Sequence, residues 1–211
     1  MNGTLYTIVF DENEHLYTVI NNETGESYTP ESVTTVIKHE LEEYASVPQS
    51  TLNQASAYGT RIHNMLEAYQ KGLLTNAPDA LSYSGMSYIA YKKYEKKHTV
   101  KPIFSEERIV YFEDSTPLYV GTLDQVAVVD GIITLVDFKT TAELHTNALR
   151  IQLTAYKLAI EQMYPALKIE KLACLWLPKG RRSDLVSIEP MNADEVLMMF
   201  RKRKLTPIVP F

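Results

Sequence analysis

Asp137 and Lys139 stand two positions apart in LVDFKTT (Leu135 to Thr141), a stretch that otherwise reads as the end of a buried strand. Residues two apart in a strand point to the same face. A few residues upstream, Asp130-Gly131 is a strong signal for a two-residue hairpin, because a type I′ turn needs positive φ at both central positions. That turn sets Val129 opposite Ile132, and the same register sets Asp124 opposite Asp137, with Cβ atoms about 4.5–5.5 Å apart. Two carboxylates this close raise one another's pKa unless a cation lies between them. Lys139, on the same face, is one source of that charge, and a divalent metal is another. The plainer account is a salt-bridged strand end with nothing bound.

Two further pairs are spaced for helix faces. In ASAYGTRIHNMLEAY, His63 and Glu67 are four apart, beside an apolar stripe of Tyr58, Ile62, Leu66 and Tyr69. They read either as a partly buried histidine paired with an acid, or as a metal ligand leaning over the hairpin with a further acid nearby. Gly59 allows close approach of backbone or ligand. In NALRIQLTAYKLAI, Gln152 and Tyr156 are four apart within the stripe Leu149, Gln152, Tyr156, Ile160 and Met163. A glutamine in an apolar stripe needs a polar partner. That partner is backbone, the metal site or a phosphate.

The elements that must position these residues follow from periodicity. Leu5–Phe10, His15–Ile20 and Ser27–Thr29 alternate as strands of a meander. Pro30-Glu31-Ser32 opens a helix to about Tyr44. Ser50 is expected to cap a long helix to Lys71, ended by Gly72. A helix spans Leu81–His98, with Tyr83, Tyr88, Ile89, Tyr91 and Tyr94 as packing candidates. Strands follow at Ile103–Phe112, Tyr119–Val129 and Ile132–Lys139, then a helix at Asn147–Tyr164. Strands at Lys168–Leu177 and Leu185–Ile188 come next, and Asn192 caps a final helix. The hairpin is apolar on both sides, with Val126, Val128, Ile133 and Leu135 on the face of the acids. Leu123, Ala127, Val129, Ile132, Val136 and Phe138 occupy the other. It is therefore covered on both faces. The expected fold is α/β (α+β): a central mixed sheet flanked by helices. One domain, 1–211, is expected: an N-terminal β-meander (1–30), a helical segment (31–100), a core (101–190) and a C-terminal helix and tail (191–211).

Composition narrows the classes. The chain has 211 residues, 45% hydrophobic and 22% charged, which is ordinary for a globular protein. No run approaches the roughly 18–20 apolar residues of a membrane span, and the acidic opening MNGTLYTIVFDENEH is unlike a signal peptide. The single cysteine, Cys174, excludes an intramolecular disulfide and a multi-cysteine metal site, and it fits a cytoplasmic location. With a net charge of −5, bulk electrostatics do not argue for nucleic-acid binding. Basic residues do cluster at KKYEKKH (Lys92 to His98), KGRR (Lys179 to Arg182) and RKRK (Arg201 to Lys204).

The motifs in order are G-T-x-x-H (Gly59 to His63), G-T-L-D (Gly121 to Asp124), D-F-K (Asp137 to Lys139) and Q-x-x-x-Y (Gln152 to Tyr156). This series resembles the PD-(D/E)XK nuclease superfamily. Within it the series is similar to the branch of RecB-type nuclease domains, Cas4 nucleases, the mitochondrial genome maintenance exonuclease and small phage exonucleases. HLYTV…ESVTTVI resembles the opening of phage members. The resemblance implies a restriction-endonuclease-like core and a metal-dependent deoxyribonuclease, an exonuclease of phage recombination or repair that leaves a 5′-phosphate and a 3′-hydroxyl. It implies Asp124, Asp137, His63 and the Phe138 carbonyl as ligands of one or two Mg²⁺ or Mn²⁺ ions, Lys139 as the catalytic lysine, and Gln152 and Tyr156 as the helix motif behind the site. Glu107 sits where many relatives carry a glutamate, with Glu106 in competition, and Glu67 corresponds to a helix acid of some members.

Cys174 alone rules out the iron–sulfur cluster of some relatives. No Gly-x-x-x-x-Gly-Lys-Ser/Thr element supplies a motor. The implied partners are linear or single-stranded DNA ends and a single-strand annealing or binding protein, in the host cytoplasm for a phage-encoded protein and without a membrane. Oligomeric state, polarity, and exonuclease against endonuclease action stay open. The alternative is a catalytically silent nuclease-fold module that binds DNA or protein.

Overall fold

The structure, a computed structural model, describes residues 5–12, 14–41, 47–180 and 182–204. Strands β1 (Tyr6–Asp11), β2 (Leu16–Asn21) and β3 (Ser27–Tyr28) form an antiparallel N-terminal sheet. Helices α1 (Val33–Leu41), α2 (Gln49–Gln70) and α3 (Tyr83–Lys97) follow. Then come β4 (Val100–Glu113), β5 (Thr116–Val129), β6 (Ile132–Lys139), α4 (Thr146–Met163), β7 (Lys171–Trp176), β8 (Asp184–Ile188) and α5 (Ala193–Lys204). The second sheet has the order β4-β5-β6-β7-β8, with β6 and β7 parallel and every other neighbouring pair antiparallel. A parallel pair needs a crossover connection, and α4 supplies it.

This is the expected mixed sheet covered on both faces. Ala127, Val129, Val136, Phe138 and Leu175 pack with Ile62 and Leu66 of α2 and Tyr91 and Tyr94 of α3. Val126, Leu135, Leu172 and Cys174 pack on the other side with residues of α1, α4 and α5. The N-terminal sheet joins through Val19, which is buried with Val110 and Val120.

Several boundaries differ from expectation for identifiable reasons. The long helix starts at Gln49, with Pro48 as its N-cap and no side-chain cap, so Ser50 lies inside the first turn. In α3 the buried positions are Gly85, Ser87, Tyr91 and Tyr94. Tyr83 and Ile89 project outward instead, because one stripe of the helix suffices to cover α2 and the sheet. The end expected for the first helix, at about Tyr44, and Arg181 of KGRR lie outside the described residues.

The Asp130-Gly131 turn forms as the dipeptide demands, with φ of 51° and 88°. Asp130 also ties the hairpin tip to the start of β4: Thr99 N donates to its Oδ1 at 2.8 Å and His98 Nδ1 lies 2.6 Å from Oδ2. The expected register holds from Val129↔Ile132 to Gln125↔Val136.

Candidate metal centre

The β5–β6 ladder ends one step before Asp124 and Asp137 would face each other. There the Phe138 N–H, which a continuing ladder would give to a β5 carbonyl, donates instead to Asp124 Oδ2 at 2.5 Å. The side chain of one acid thus replaces a rung of the sheet. The same point interrupts β4–β5, where Ser105 pairs with Gln125 and Glu107 with Leu123, leaving Glu106 and Asp124 unpaired between them. Glu106 has φ of 52°, a left-handed conformation that costs a non-glycine residue about 1–3 kcal/mol.

Beyond this break β5 changes sides. Leu123 belongs to the core cluster of Val126 and α4, not to that of Ala127 and α2 as strict alternation predicts. A Cβ on Gly121 would likewise meet Tyr156 of α4.

Helix α2 brings His63 to this break. Its Nδ1 lies 3.1 Å from Asp124 Oδ1 and 3.9 Å from Glu106 Oε1, and its Nε2 is 3.0 Å from the Phe138 carbonyl oxygen. One ligand atom from each of His63, Glu106 and Asp124 can be chosen so that all lie within 4.8 Å of one another, a group that could hold a metal ion. Glu67 is turned to Lys71, four residues on.

The adjoining half of the site is built on α4. Gln152 donates from Nε2 to Asp137 Oδ1 at 2.8 Å and accepts at Oε1 from Lys139 Nζ at 3.2 Å. Lys139 Nζ is 2.8 Å from Asp137 Oδ2. Lys139 is the one partner of this buried oxygen among the described residues, approaching it as an ion pair. The polar partner that Gln152 requires is therefore the D-x-K motif itself. Tyr156, one turn further along, is buried behind it. A cavity of about 220 Å³ opens on Lys139 and Gln152, walled by Ile37, Lys38 and Leu41 of α1 and Leu149 of α4.

The electrostatics are those of anions crowded out of water. Asp124 is 8% and Asp137 3% exposed. Burial pushes Asp137 up to about 6, against Lys139 and with help from Asp124. Burial and then Asp124 push Glu106 up to about 8. Burial would lower His63, but the Asp124 carboxylate outweighs it and holds the ring's pKa at about 9. Burial likewise opposes the charge on Lys139, and Asp137 and Asp124 outweigh it, taking it to about 12. Asp124 itself is held low, because His63, Lys139 and the Phe138 N–H together overcome burial.

The structure therefore brings together His63, Asp124, the Phe138 carbonyl, Asp137, Lys139, Gln152 and Tyr156. It does not bring Glu107 to them: Glu107 Oε1 accepts from Tyr164 Oη on α4 at 2.8 Å. Glu106 stands in the cluster instead. A bulge explains the exchange. The Asp114-Ser115 turn pairs Glu113 with Thr116, but Leu118 is an extra residue in β5, which moves the register by one and puts Glu106 across from Asp124.

Comparison with known proteins agrees with this architecture. The model of the PD-(D/E)XK nuclease superfamily matches residues 36–199. The chain belongs to the PD-(D/E)XK nuclease superfamily. Within this PD-(D/E)XK chain the matched span runs from α1 into α5 and includes every residue of the cluster. No curated protein matches the chain significantly. Among solved structures, it is similar to the crystal structure of SSO0001, with 13% identity, a TM-score of 0.45, and coverage of 84% of this chain and 76% of that one.

No helix among the described residues is long and apolar enough to cross a membrane.

Proposed function

We propose that this PD-(D/E)XK chain is a divalent-metal-dependent deoxyribonuclease that degrades DNA from an end, serving phage recombination or repair. The observation that carries the reading is the arrangement at the splayed hairpin end: two buried aspartates, with a lysine held against one of them by a buried glutamine. A purely structural ion pair has no use for the second acid, the histidine and the strained glutamate beside it. Phage and end-directed action rest on the motif order and the N-terminal stretch.

The donor set fits a metal. Asp124 Oδ1, Glu106 and His63 supply oxygen and imidazole nitrogen, and burial with the neighbouring Asp124 carboxylate raises the Glu106 carboxyl further than His63 and Lys71 offset, which leaves room for a stronger cation. Oxygen ligands suit Mg²⁺ or Mn²⁺, and an imidazole adds to the case for Mn²⁺. Asp124, Glu106 and His63 would hold the ion, with Asp137 and the Phe138 carbonyl beside them. Held there, a divalent ion would supply Lewis-acid polarisation of a phosphate and a more acidic water. Lys139, fixed by Gln152 and Asp137, keeps its proton at neutral pH and presents an ammonium to the charge that develops on phosphate or attacking water. His63 must give up its proton to serve as a ligand. The hydrophobic wall of α1 and α4 limits water around Lys139.

The test is incubation of end-labelled linear DNA and covalently closed circular DNA with Mn²⁺ or Mg²⁺. Loss of linear DNA with circles intact is expected, and Asp137→Asn or Lys139→Ala should abolish it in a folded protein. Cleavage of circles replaces end-directed with internal cutting. Binding of DNA without any cleavage replaces the enzyme with a silent binding module.

A further inference from the structure

The same turn of α2 that presents His63 also borders a second, open cleft of about 590 Å³ between α2, the start of α3 and the loop after β7. Its walls include Gln54, Tyr58 and Arg61 of α2, Leu81 and Tyr83 at the start of α3, and Lys179. Lys179 Nζ lies 3.8 Å from the Tyr83 ring centroid and 5.7 Å from that of Tyr58. Among the described residues the lining carries two cations and no acid.

Two of these residues run against what burial predicts. Tyr83 is 52% and Leu81 85% exposed. An exposed aromatic is an outlay that a solvated surface does not need, and here it is held in place. The Tyr58 hydroxyl donates to the Tyr83 carbonyl at 3.2 Å and lies 2.9 Å from Ser87 Oγ. Ser82 caps the helix at Gly85 N. These bonds fix the Tyr83 backbone at the edge of the cleft, and the Lys179 ammonium lies over one face of its ring.

The helix that walls the cleft also reaches the metal centre. Gly59 lies against Thr140, the residue after Lys139, where a Cβ would sit 3.5 Å from Thr140 Oγ1. From Tyr58 to His63 is about 7.5 Å along the helix. The arginines of the RKRK cluster do not offer this combination. Arg201 pairs with Glu113, and Arg203 pairs with Glu31 through two bonds of 2.7 Å.

We propose that this cleft is a single-stranded DNA platform, in which the strand running from the metal centre stacks a base on Tyr83 and sets phosphates on Arg61 and Lys179. The inference rests on the nuclease reading for the presence of a strand at His63, and it adds which part of the substrate is unpaired. Aromatic plates with flanking cations are the means by which proteins hold single strands without sequence preference. Paired bases have no free face to stack, so the platform selects a strand already separated from its complement. Lys179 now shields one side of the Tyr83 ring; on binding, its ammonium transfers to a phosphate.

The test is fluorescence anisotropy with labelled oligo-dT and with a blunt duplex hairpin, in EDTA so that nothing is cleaved. Tyr83→Ala should weaken oligo-dT binding at least about fivefold, since one base stack contributes ~1–3 kcal/mol. Tyr83→Phe should bind as wild type does, and the duplex should be affected by neither. Lys179→Ala should flatten the salt dependence of oligo-dT binding by about 0.7 in the log–log slope.

Unchanged oligo-dT binding in Tyr83→Ala overturns the platform, as does equal loss in Tyr83→Phe or equal loss for the duplex. Circular dichroism of Tyr83→Ala checks its fold, and Lys179→Ala repeats the test with the tyrosine kept. The two readings fail separately: binding with these sensitivities but no cleavage in Mn²⁺ sinks the nuclease and keeps the platform. Cleavage with KM and kcat unmoved in all three variants does the reverse.

Discussion

Gly121 and Tyr156 occupy one space: a Cβ on Gly121 would lie 2.8 Å from Tyr156 Cε1 and 3.2 Å from its hydroxyl. The G-T-L-D glycine is thus a packing requirement of the helix motif thirty-odd residues downstream. Gly121→Ala should destabilise by about 1–3 kcal/mol, the usual cost of overpacking. The displaced ring sits one turn from Gln152, so activity should fall as well. Denaturant unfolding beside a nuclease assay reads both. A fully stable Ala variant would show that Tyr156 can retreat freely.

Gln152 is the joint between the two charges of the D-x-K motif. Gln152→Leu leaves Asp137 Oδ1 buried without a donor, which should cost about 1–3 kcal/mol. It also frees Lys139, and misplacement of a catalytic group by about 1 Å can cost ~100-fold. We expect kcat to fall at least tenfold at unchanged metal affinity, measured by Mn²⁺ calorimetry and single-turnover cleavage. Parallel loss of metal affinity would move Gln152 from positioning Lys139 to shaping the metal centre.

The metal-free His63 should titrate near pH 9 rather than near 6.5. The folded state favours its charged form, so the stability it contributes is complete below 6.5 and is lost as pH rises through about 9. Histidine-ring NMR of the metal-free protein reads the value directly. Asp124→Asn should bring it down, and addition of Mn²⁺ should release its proton. A ring that already titrates near 6.5 would mean that Asp124 does not face it in solution.

Glu106 and Glu107 are adjacent and should behave oppositely. Glu106→Gln should weaken metal binding at least about tenfold, while Glu107→Gln should leave it intact and cost only the Tyr164 contact. Glu106→Gly should weaken metal binding too, yet raise stability by up to about 1 kcal/mol by accommodating the left-handed backbone. Isothermal titration with Mn²⁺ and thermal unfolding separate the two effects.

These two glutamates mark the limit of what the residues disclosed. Asp130-Gly131 is a turn whose chemistry fixes its own geometry, so the register of β5 on β6, and with it Asp124 near Asp137, was legible. Asp114-Ser115 forms a comparable turn, with φ of 49° and 64°, but the Leu118 bulge then shifts everything beyond it. Pro117 beside it was the one available signal, since strands admit proline only at edges, at their first residue or at bulges. The switch of sides at Asp124 was hidden because alternation assumes an unbroken strand, and the site is where the strand breaks. Gln152, by contrast, stood out because a buried amide demands a partner, and the demand was met within the site. The exposure of Tyr83 was missed because helix periodicity alone does not say which aromatic is left over.

The Asp124 carboxylate has one more consequence. Its Oδ2 accepts the Phe138 N–H, so Oδ1 is the better-placed oxygen for an ion, and monodentate ligation by Asp124 would be favoured. A monodentate carboxylate suits the compact octahedral shell of Mg²⁺, whereas Ca²⁺ takes more oxygens, often in bidentate pairs. The hydrogen bond that keeps two strands together at their parting point would then double as a size filter. Ca²⁺ should support DNA binding without turnover, and the main chain, rather than any ligand residue, would be what enforces that choice.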